Sequence, residues 1–238
     1  MNVSSRYTVI TGFWLKFPCR FMRLMKHFFS YKKESGSHFL HTIWIWPLEL
    51  VLLCFDLLGL PDLWLQIQVL LFREIRLLNQ YERKIITDFY GENGFLDEVW
   101  MNPRDLFGFK RFALAFVLHN TINYDRTISD GVLIHEFMHV IQYQKVGSPY
   151  ILRALLAQNS KAGYQYGGPE QLYHNMIRGQ SLWSYNYEQQ AQIMQDYYKL
   201  KSKASGSLPV MELSSYELLL RELKDEILKL PSNCLRWF

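Results

Sequence analysis

The stretch SDGVLIHEFMHVIQYQKVGSP, residues 129–149, predicts a capped helix around which a domain can be built. Ser129 or Asp130 can cap its first turn, because a side-chain oxygen there accepts hydrogen bonds from helix N–H groups that have no backbone partner. Gly147 can end the helix, since glycine readily adopts the backbone conformation that follows many helices. The sequence therefore predicts a helix over residues 131–146.

The pentapeptide HEFMH, residues 135–139, places two histidines four positions apart on this helix. Residues four apart share a helix face, so His135 and His139 can bind one ion at the roughly 2.0–2.1 Å of zinc–nitrogen bonds. Glu136 lies beside the open coordination position, where it can take a proton from the attacking water and pass it to the leaving group. The alternative is that the three residues share this spacing by chance on an ordinary amphipathic helix.

A catalytic zinc site needs a third protein ligand. Glu188, in YNYEQQAQIMQDYY, begins a further predicted helix over residues 187–200. Glu170 and His174 are alternative ligands, but both lie in a Gly-rich stretch without evident rigid support, so we favour Glu188. Glu188 has an alternative role of its own, because an acidic residue in the first turn stabilises a helix through its dipole.

Three segments, HEFMHVIQYQ, AGYQYGG and SYNYEQQAQIMQDYY, together resemble a family of zincin-like, gluzincin-type metallopeptidase domains. These domains are associated with bacterial polymorphic toxin and contractile-injection (type VI secretion) loci, and they read HE-x-x-H-V-x-Q and later Y-N-x-E-Q-Q-A-x-I-x-x-D-Y. The resemblance covers residues 110 to 200, under half of the chain. It implies that His135, His139 and Glu188 bind zinc and that Glu136 is the catalytic acid and base.

The resemblance also implies roles for three further residues. Asp196 would occupy the downstream acidic position of the family, where it could orient a ligand histidine. Tyr185 and Tyr187 are candidates for stabilising the oxyanion, with packing against the core as the alternative role for either one. Residues 1–72 match no part of this family.

The predicted elements indicate an α+β fold, in which a mainly helical zincin-like domain with a small sheet follows an apolar helical N-terminal region. A short strand is expected near residues 99–100, and one or two strands with a turn are expected within 112–124. The apolar spacing from residue 65 to residue 89 predicts one long amphipathic helix. The predicted divisions are an N-terminal region, a metallopeptidase domain, and a linker with a C-terminal amphipathic helix: 1–72, 73–201 and 202–238.

The most apolar stretch is residues 39–72. It is too short for two membrane-spanning helices, since each requires roughly 20 apolar residues. It is also interrupted by helix-breaking and acidic residues, which are Pro47, Glu49, Asp56, Gly59, Pro61 and Asp62. Two interpretations remain: a shallow helical hairpin at a membrane surface, and a pair of soluble helices that covers the catalytic domain.

Charge and cysteine content bear on partners and location. Seven lysines and arginines but only one acidic residue precede residue 37, which favours contact with anionic lipid over nucleic acid. Three widely spaced cysteines argue against a disulfide framework and against a cysteine-built zinc site. No cleavable signal peptide is evident at the N-terminus. We therefore expect a cytoplasmic protein, or one attached to the cytoplasmic face of a membrane.

The sequence as a whole predicts a zinc-dependent hydrolase, a metallopeptidase that acts on a peptide or protein and uses Glu136 to activate water. The alternative is a non-catalytic zinc-binding module that is membrane-attached or secretion-associated and acts by binding. A glutamate beside an open metal position favours the enzyme, because a structural zinc site uses neither feature. Residues 1–72 could additionally cover the cleft.

Overall fold

Helices dominate the part of the chain that the computed structural model describes, which is residues 4–30, 39–104, 115–202 and 210–230. The helices are α1 (Ser4–Ser30), α2 (Phe39–Leu57), α3 (Leu60–Leu71), α4 (Gln80–Tyr90), α5 (Asp130–Val146), α6 (Pro149–Gln158), α7 (Gly168–Ile177), α8 (Tyr187–Ser202) and α9 (Val210–Lys229). The strands are β1 (Arg76–Leu77), β2 (Trp100–Asn102), β3 (Ala115–Leu118) and β4 (Thr121–Tyr124). This mainly helical arrangement with a small sheet confirms the predicted α+β fold class.

The four strands form one mixed sheet in the order β1-β2-β4-β3. β3 and β4 are an antiparallel hairpin that turns at His119 and Asn120, as the sequence predicts for this segment. β4 pairs parallel with β2, and β2 pairs antiparallel with β1. β3 therefore lies at one edge of the described sheet, and it packs against α5.

The predicted capped helix is α5. The Ser129 side chain accepts a hydrogen bond from the backbone N–H of Val132, and Gly147 ends the helix with a φ of +78°. Nearly every side chain from Leu133 to Tyr143 is buried, because α5 packs against α4, α6, α8 and the β3–β4 hairpin. A helix buried on all sides is normally apolar all round, so the polar residues inside α5 need partners or a function.

The single long helix predicted over residues 65–89 is wrong. α3 ends at Leu71, β1 pairs with β2, and α4 starts anew after Asn79. The start of α4 is a capping box, in which the Asn79 side chain accepts from the N–H of Glu82 and the Glu82 carboxylate accepts from the N–H of Asn79, both at 2.8 Å. Local capping and strand pairing thus interrupt a helix that apolar spacing alone would continue.

The N-terminal helices pack on one another and on the rest of the fold. α2 contacts α1, α3 and α6. The Glu49 carboxylate on α2 accepts two hydrogen bonds from Arg153 on α6, at 2.7 and 2.8 Å, and the Asp56 carboxylate accepts from the backbone N–H of Ser148 at 2.7 Å. The interpretation of these helices as a cover packed on the domain therefore agrees with their inner contacts.

The other interpretation of this region was a shallow helical hairpin at a membrane surface. Among the described residues, no single helix is long and apolar enough to cross a membrane. The segments Trp44–Leu57 and Leu60–Leu71 meet the length and composition requirement only as a pair, and they are bent by 60° relative to each other. This bend occurs at Gly59, whose φ of +71° suits glycine.

The cysteines follow the sequence-based expectation only in part. Cys54 is free and exposed on α2. Cys19, on α1, is disulfide-bonded, which departs from the expectation of a chain without structural disulfides. Cys234 lies outside the described residues.

Candidate metal centre

Packing of α5 against α8 brings His135, His139 and Glu188 together. The Nε2 atoms of both histidines lie 3.4 Å from Oε2 of Glu188, and one ligand atom from each residue lies within 4.8 Å of the others. All three side chains are buried. The sequence predicted these three residues as one ligand set, and the fold does bring them to one place.

The carboxylate of Glu188 suggests what this group of side chains accommodates. Its Oε2 atom is buried, and the two imidazole Nε2 atoms that face it are 3.4 Å away, too far for a normal charge-assisted hydrogen bond. Buried charges in proteins are normally paired or coordinate metals. Two imidazole nitrogens and a carboxylate oxygen that converge in this way could hold a metal ion.

Burial disfavours a charge on His139 and on Glu188, but the contact between them outweighs burial. The pKa of His139 is raised to about 9 because the nearby Glu188 carboxylate stabilises the imidazolium. The two histidines in turn lower the pKa of Glu188 to about 2. Since a metal ligand must be a neutral imidazole, a cation binding here has to displace the proton of His139.

Gln142, one turn beyond His139, determines which imidazole nitrogen of His139 is free. The amide nitrogen of Gln142 donates to the backbone carbonyl of Tyr187 at 3.0 Å, so its oxygen must be the atom that faces Nδ1 of His139 at 2.8 Å. Nδ1 of His139 therefore carries a proton and donates to that oxygen. When His139 is neutral, its lone pair is on Nε2, the nitrogen that faces Glu188.

A second glutamine holds Gln142 in this orientation. Gln190 on α8 accepts from the Gln142 amide nitrogen at 3.0 Å and donates to the carbonyl of Tyr185 at 2.7 Å. Both amides are thus oriented by backbone carbonyls, which can only accept hydrogen bonds. The sequence resemblance contained both glutamines, but spacing alone did not assign them this role.

We expect the Gln142→Leu variant to bind metal about 10- to 100-fold more weakly, the usual cost of losing a group that orients a ligand histidine. Calorimetric titration with zinc measures the affinity. Gln192→Leu is the matched control, because the Gln192 amide binds Asp196 at 2.8 Å and not a histidine. Equal zinc affinity in two folded variants would contradict the orienting role of Gln142.

Glu136 lies beside the three converging residues without being one of them. Its side chain is buried, and its Oε2 atom has no hydrogen-bond partner among the described residues. Burial raises the pKa of Glu136, and the charges of His135 and His139 only partly oppose this effect. A raised pKa suits a carboxyl group that must both accept and donate a proton near neutral pH.

These residues line a cleft of about 760 Å³. His135, Glu136, His139 and Glu188 form one part of its wall, and strand β3 and helix α6 form another. β3 is an edge strand of the described sheet, and its residues line the same cleft as the carboxylates and imidazoles. The cleft therefore combines a candidate metal centre, a buried acid and an apolar strand.

Tyr164 is a cleft residue to which the sequence analysis gave no role. Its ring centroid lies 5.9 Å from that of His135, and the residue lines the cleft. Burial and the negative charges of Glu188 and Glu136 raise the pKa of its hydroxyl to about 12, so the group remains a donor. It lies in the AGYQYGG segment, whose irregular backbone gave no periodic signal for placing a side chain.

The other residues suggested by the resemblance lie elsewhere. The Tyr185 hydroxyl accepts from Asn175, and the Tyr187 hydroxyl accepts from Arg153. Neither tyrosine lines the cleft, and both contribute backbone carbonyls to the glutamine pair instead. Asp196 accepts hydrogen bonds from Tyr166 and Gln192, whereas the hydrogen bond to a ligand histidine is made by Gln142.

The alternative ligands Glu170 and His174 are on α7, in a stretch that the sequence analysis treated as irregular. Both side chains are exposed, and neither belongs to the converging group. The preference for Glu188 thus agrees with the geometry, although the reason offered for it, a lack of rigid support around the alternatives, is wrong.

Comparisons of the chain with protein-family models, with curated proteins and with solved structures find no match. Membership of the zincin-like family therefore stays a prediction from the motifs. What the site can do has to be argued from its own residues.

Proposed function

We propose that this protein is a zinc-dependent peptidase whose centre consists of His135, His139, Glu188 and Glu136. The convergence of two buried imidazoles and a buried carboxylate at the wall of an open cleft, with a second buried carboxylate beside them, carries the proposal. A cleft that holds perturbed acidic groups is a usual position for an active site. The proposal names peptide hydrolysis because two histidines four positions apart on a helix, with a glutamate after the first as general base, are the arrangement of a zinc metalloprotease.

Zinc is the metal that best suits these ligands. Two histidines and one glutamate are a known ligand set of catalytic zinc. Bonds of about 2.05 Å in tetrahedral geometry place neighbouring ligand atoms about 3.3 Å apart. The two distances from Oε2 of Glu188 to the imidazole Nε2 atoms are both 3.4 Å, close to this spacing.

When bound, zinc would act as a Lewis acid on the scissile carbonyl and would make water a better nucleophile at neutral pH. Glu136 then takes the proton from the attacking water and delivers it to the leaving amine, and its raised pKa suits both steps. The Tyr164 hydroxyl, protonated at neutral pH, can donate a hydrogen bond to the developing oxyanion.

A peptide substrate fits the surroundings of these residues. The cleft has a volume of about 760 Å³, which is within the usual range of about 300–1,000 Å³ for ligand pockets. Its wall includes the apolar residues Ala115, Phe116, Val117 and Leu118 of β3. A peptide bound against these residues would lie in the same cleft as Glu136.

The alternative, a zinc module that acts only by binding, is less well supported. A structural zinc ion has four protein ligands, whereas the described residues bring three to this centre. The open cleft and the buried Glu136 beside the ligand set have no use in a closed structural site. An assay of both zinc content and peptide cleavage therefore distinguishes the enzyme from the binding module.

The test uses the full chain, purified and analysed for metal by mass spectrometry. We expect zinc at one ion per chain, and we expect the protein to cleave members of a mixed peptide library, with cleavage sites read by mass spectrometry. Removal of zinc with a chelator should stop cleavage, and added zinc should restore it. Stoichiometric zinc without cleavage of peptides or unfolded protein would favour the binding module.

A further inference from the structure

The outer surface of α2 and α3 is apolar from Trp44 to Leu71. Between residues 44 and 71, every exposed residue is hydrophobic, proline or cysteine. On α2 the exposed side chains Trp44, Leu48, Val51 and Phe55 recur at spacings of four, three and four, which places them in one stripe along the helix. We call the exposed residues of 44–71 the apolar face.

The apolar face continues onto α3. Leu63, Ile67, Leu70 and Leu71 there are 51%, 40%, 66% and 68% exposed. Large contiguous apolar patches are rare on soluble monomers, and they mark surfaces that contact a protein or a membrane. The face is too extensive to be the ordinary scatter of single apolar residues on a protein surface.

The acidic residues of these helices point away from this face. Glu49 and Asp56 are 5% and 1% exposed, and they are bound by Arg153 and Ser148 as described above. Asp62 on α3 forms an ion pair with Arg20 of α1. In the sequence these acids argue against membrane-spanning helices, but the fold buries Glu49 and Asp56 and pairs Asp62 with Arg20. The exposed residues from 44 to 71 therefore include no charge.

Hydrocarbon fits this face better than a protein partner does. Protein interfaces are on average only about 56–58% apolar and have a polar rim. Lipid hydrocarbon offers no hydrogen bonds, so a protein surface that contacts it must have its polar groups turned inward and hydrogen-bonded within the protein. Trp44 and Trp64 add the aromatic side chains that prefer the membrane interface. Lys26 on α1 is exposed and adds a positive charge that can contact anionic headgroups, whereas Lys16, Arg20 and Arg23 are bound within the fold.

We infer that the apolar face inserts into one leaflet of a lipid bilayer and holds the protein at the membrane surface. Insertion into one leaflet fits the structure, since no single described helix is long and apolar enough to cross a membrane and the segments Trp44–Leu57 and Leu60–Leu71 are bent by 60°. This inference does not depend on the proposed peptidase activity, because it rests on other residues.

Attachment through the apolar face would also fix the position of the cleft relative to the membrane. An apolar groove of about 480 Å³ lies between α2, α3 and the β3–β4 turn, and it is lined by Phe55, Trp64 and Leu118 among others. Leu118 also lines the cleft of the metal centre. Attachment through the apolar face therefore holds the cleft close to the bilayer, where segments of membrane proteins near the surface can reach it.

The test is flotation of the full chain with vesicles of phosphatidylcholine and phosphatidylglycerol. The key variant carries Leu48→Gln, Phe55→Gln and Leu63→Gln, three exposed positions whose exchange leaves the core intact. Losing three partly exposed apolar side chains from the inserted surface should weaken vesicle binding about 100-fold. The matched control carries Ile177→Gln, Leu218→Gln and Leu228→Gln, three exposed apolar residues on α7 and α9, and should bind as the wild type does.

Brominated acyl chains in the vesicles provide a second measurement. We expect them to quench tryptophan fluorescence in the wild type and to quench it much less in the Leu48, Phe55 and Leu63 variant. Binding that high salt abolishes, without quenching, would show adsorption to headgroups alone and would overturn the inference. So would a wild-type chain that dimerises through this face without binding vesicles, or a control variant that loses binding equally.

Discussion

The Glu136→Gln variant is expected to bind zinc like the wild type and to hydrolyse peptides about 1,000-fold more slowly, within the usual range for loss of a general acid and base. Glu136 is not one of the three converging ligand residues, so the exchange leaves the donor atoms in place. Glutamine has nearly the same shape but no group that titrates. The reaction therefore loses its proton acceptor while the site keeps its structure.

Metal analysis and single-turnover cleavage of a peptide identified for the wild type measure the two effects separately. Glu92→Gln is the control, because Glu92 is exposed and the same chemical change there should alter neither quantity. Hydrolysis that survives in Glu136→Gln would refute the assigned mechanism. Loss of zinc together with activity would instead make Glu136 a ligand.

Glu188→Ala is expected to weaken zinc binding roughly 100- to 1,000-fold. A structural zinc ion gains about 10–16 kcal/mol in total from four ligands, which is about 2.5–4 kcal/mol per ligand, and each ~1.4 kcal/mol is a tenfold change in affinity. Removing the carboxylate also leaves two buried histidines with ring centroids 5.1 Å apart and no negative charge from Glu188 between them. Competition with a chromophoric chelator measures the affinity. Peptide cleavage at limiting zinc should fall in parallel.

The alternative ligands supply the controls for this experiment. Glu170→Ala and His174→Ala change exposed side chains on α7, and both variants should bind zinc like the wild type. A normal zinc affinity in Glu188→Ala, or a large loss in either α7 variant, would transfer the third ligand away from α8. Circular dichroism of each variant confirms that the helices are retained.

Some features of the site follow from local sequence. The capped helix α5 can be predicted from Ser129, Gly147 and the apolar residues between them, since caps and periodicity act over a few residues. Spacing of four on that helix is enough to place His135 and His139 on one face. The position of Glu136 next to His135 follows from the same helix geometry.

Local sequence gave a wrong prediction where the apolar spacing and the capping signals disagree about where a helix ends. Apolar spacing continues from α3 into α4, but strand β1 and the Asn79 capping box interrupt it. The same limitation affected α7, where glycines and a proline concealed a helix that begins at Gly168. Periodicity describes which face would be buried if a helix formed, and it does not decide where one helix ends.

The sequence by itself determined the elements of the centre: one helix with two histidines and a glutamate, and a later helix that begins with Glu188. Only the tertiary structure decided that α8 packs on α5, that Tyr187 and Gln190 hold Gln142 against His139, and that Tyr164 reaches the cleft. It also decided that the acids of α2 and α3 face inward. The physical reason is that capping and spacing act within one turn, whereas these contacts join residues far apart in sequence, and their positions depend on how whole helices pack.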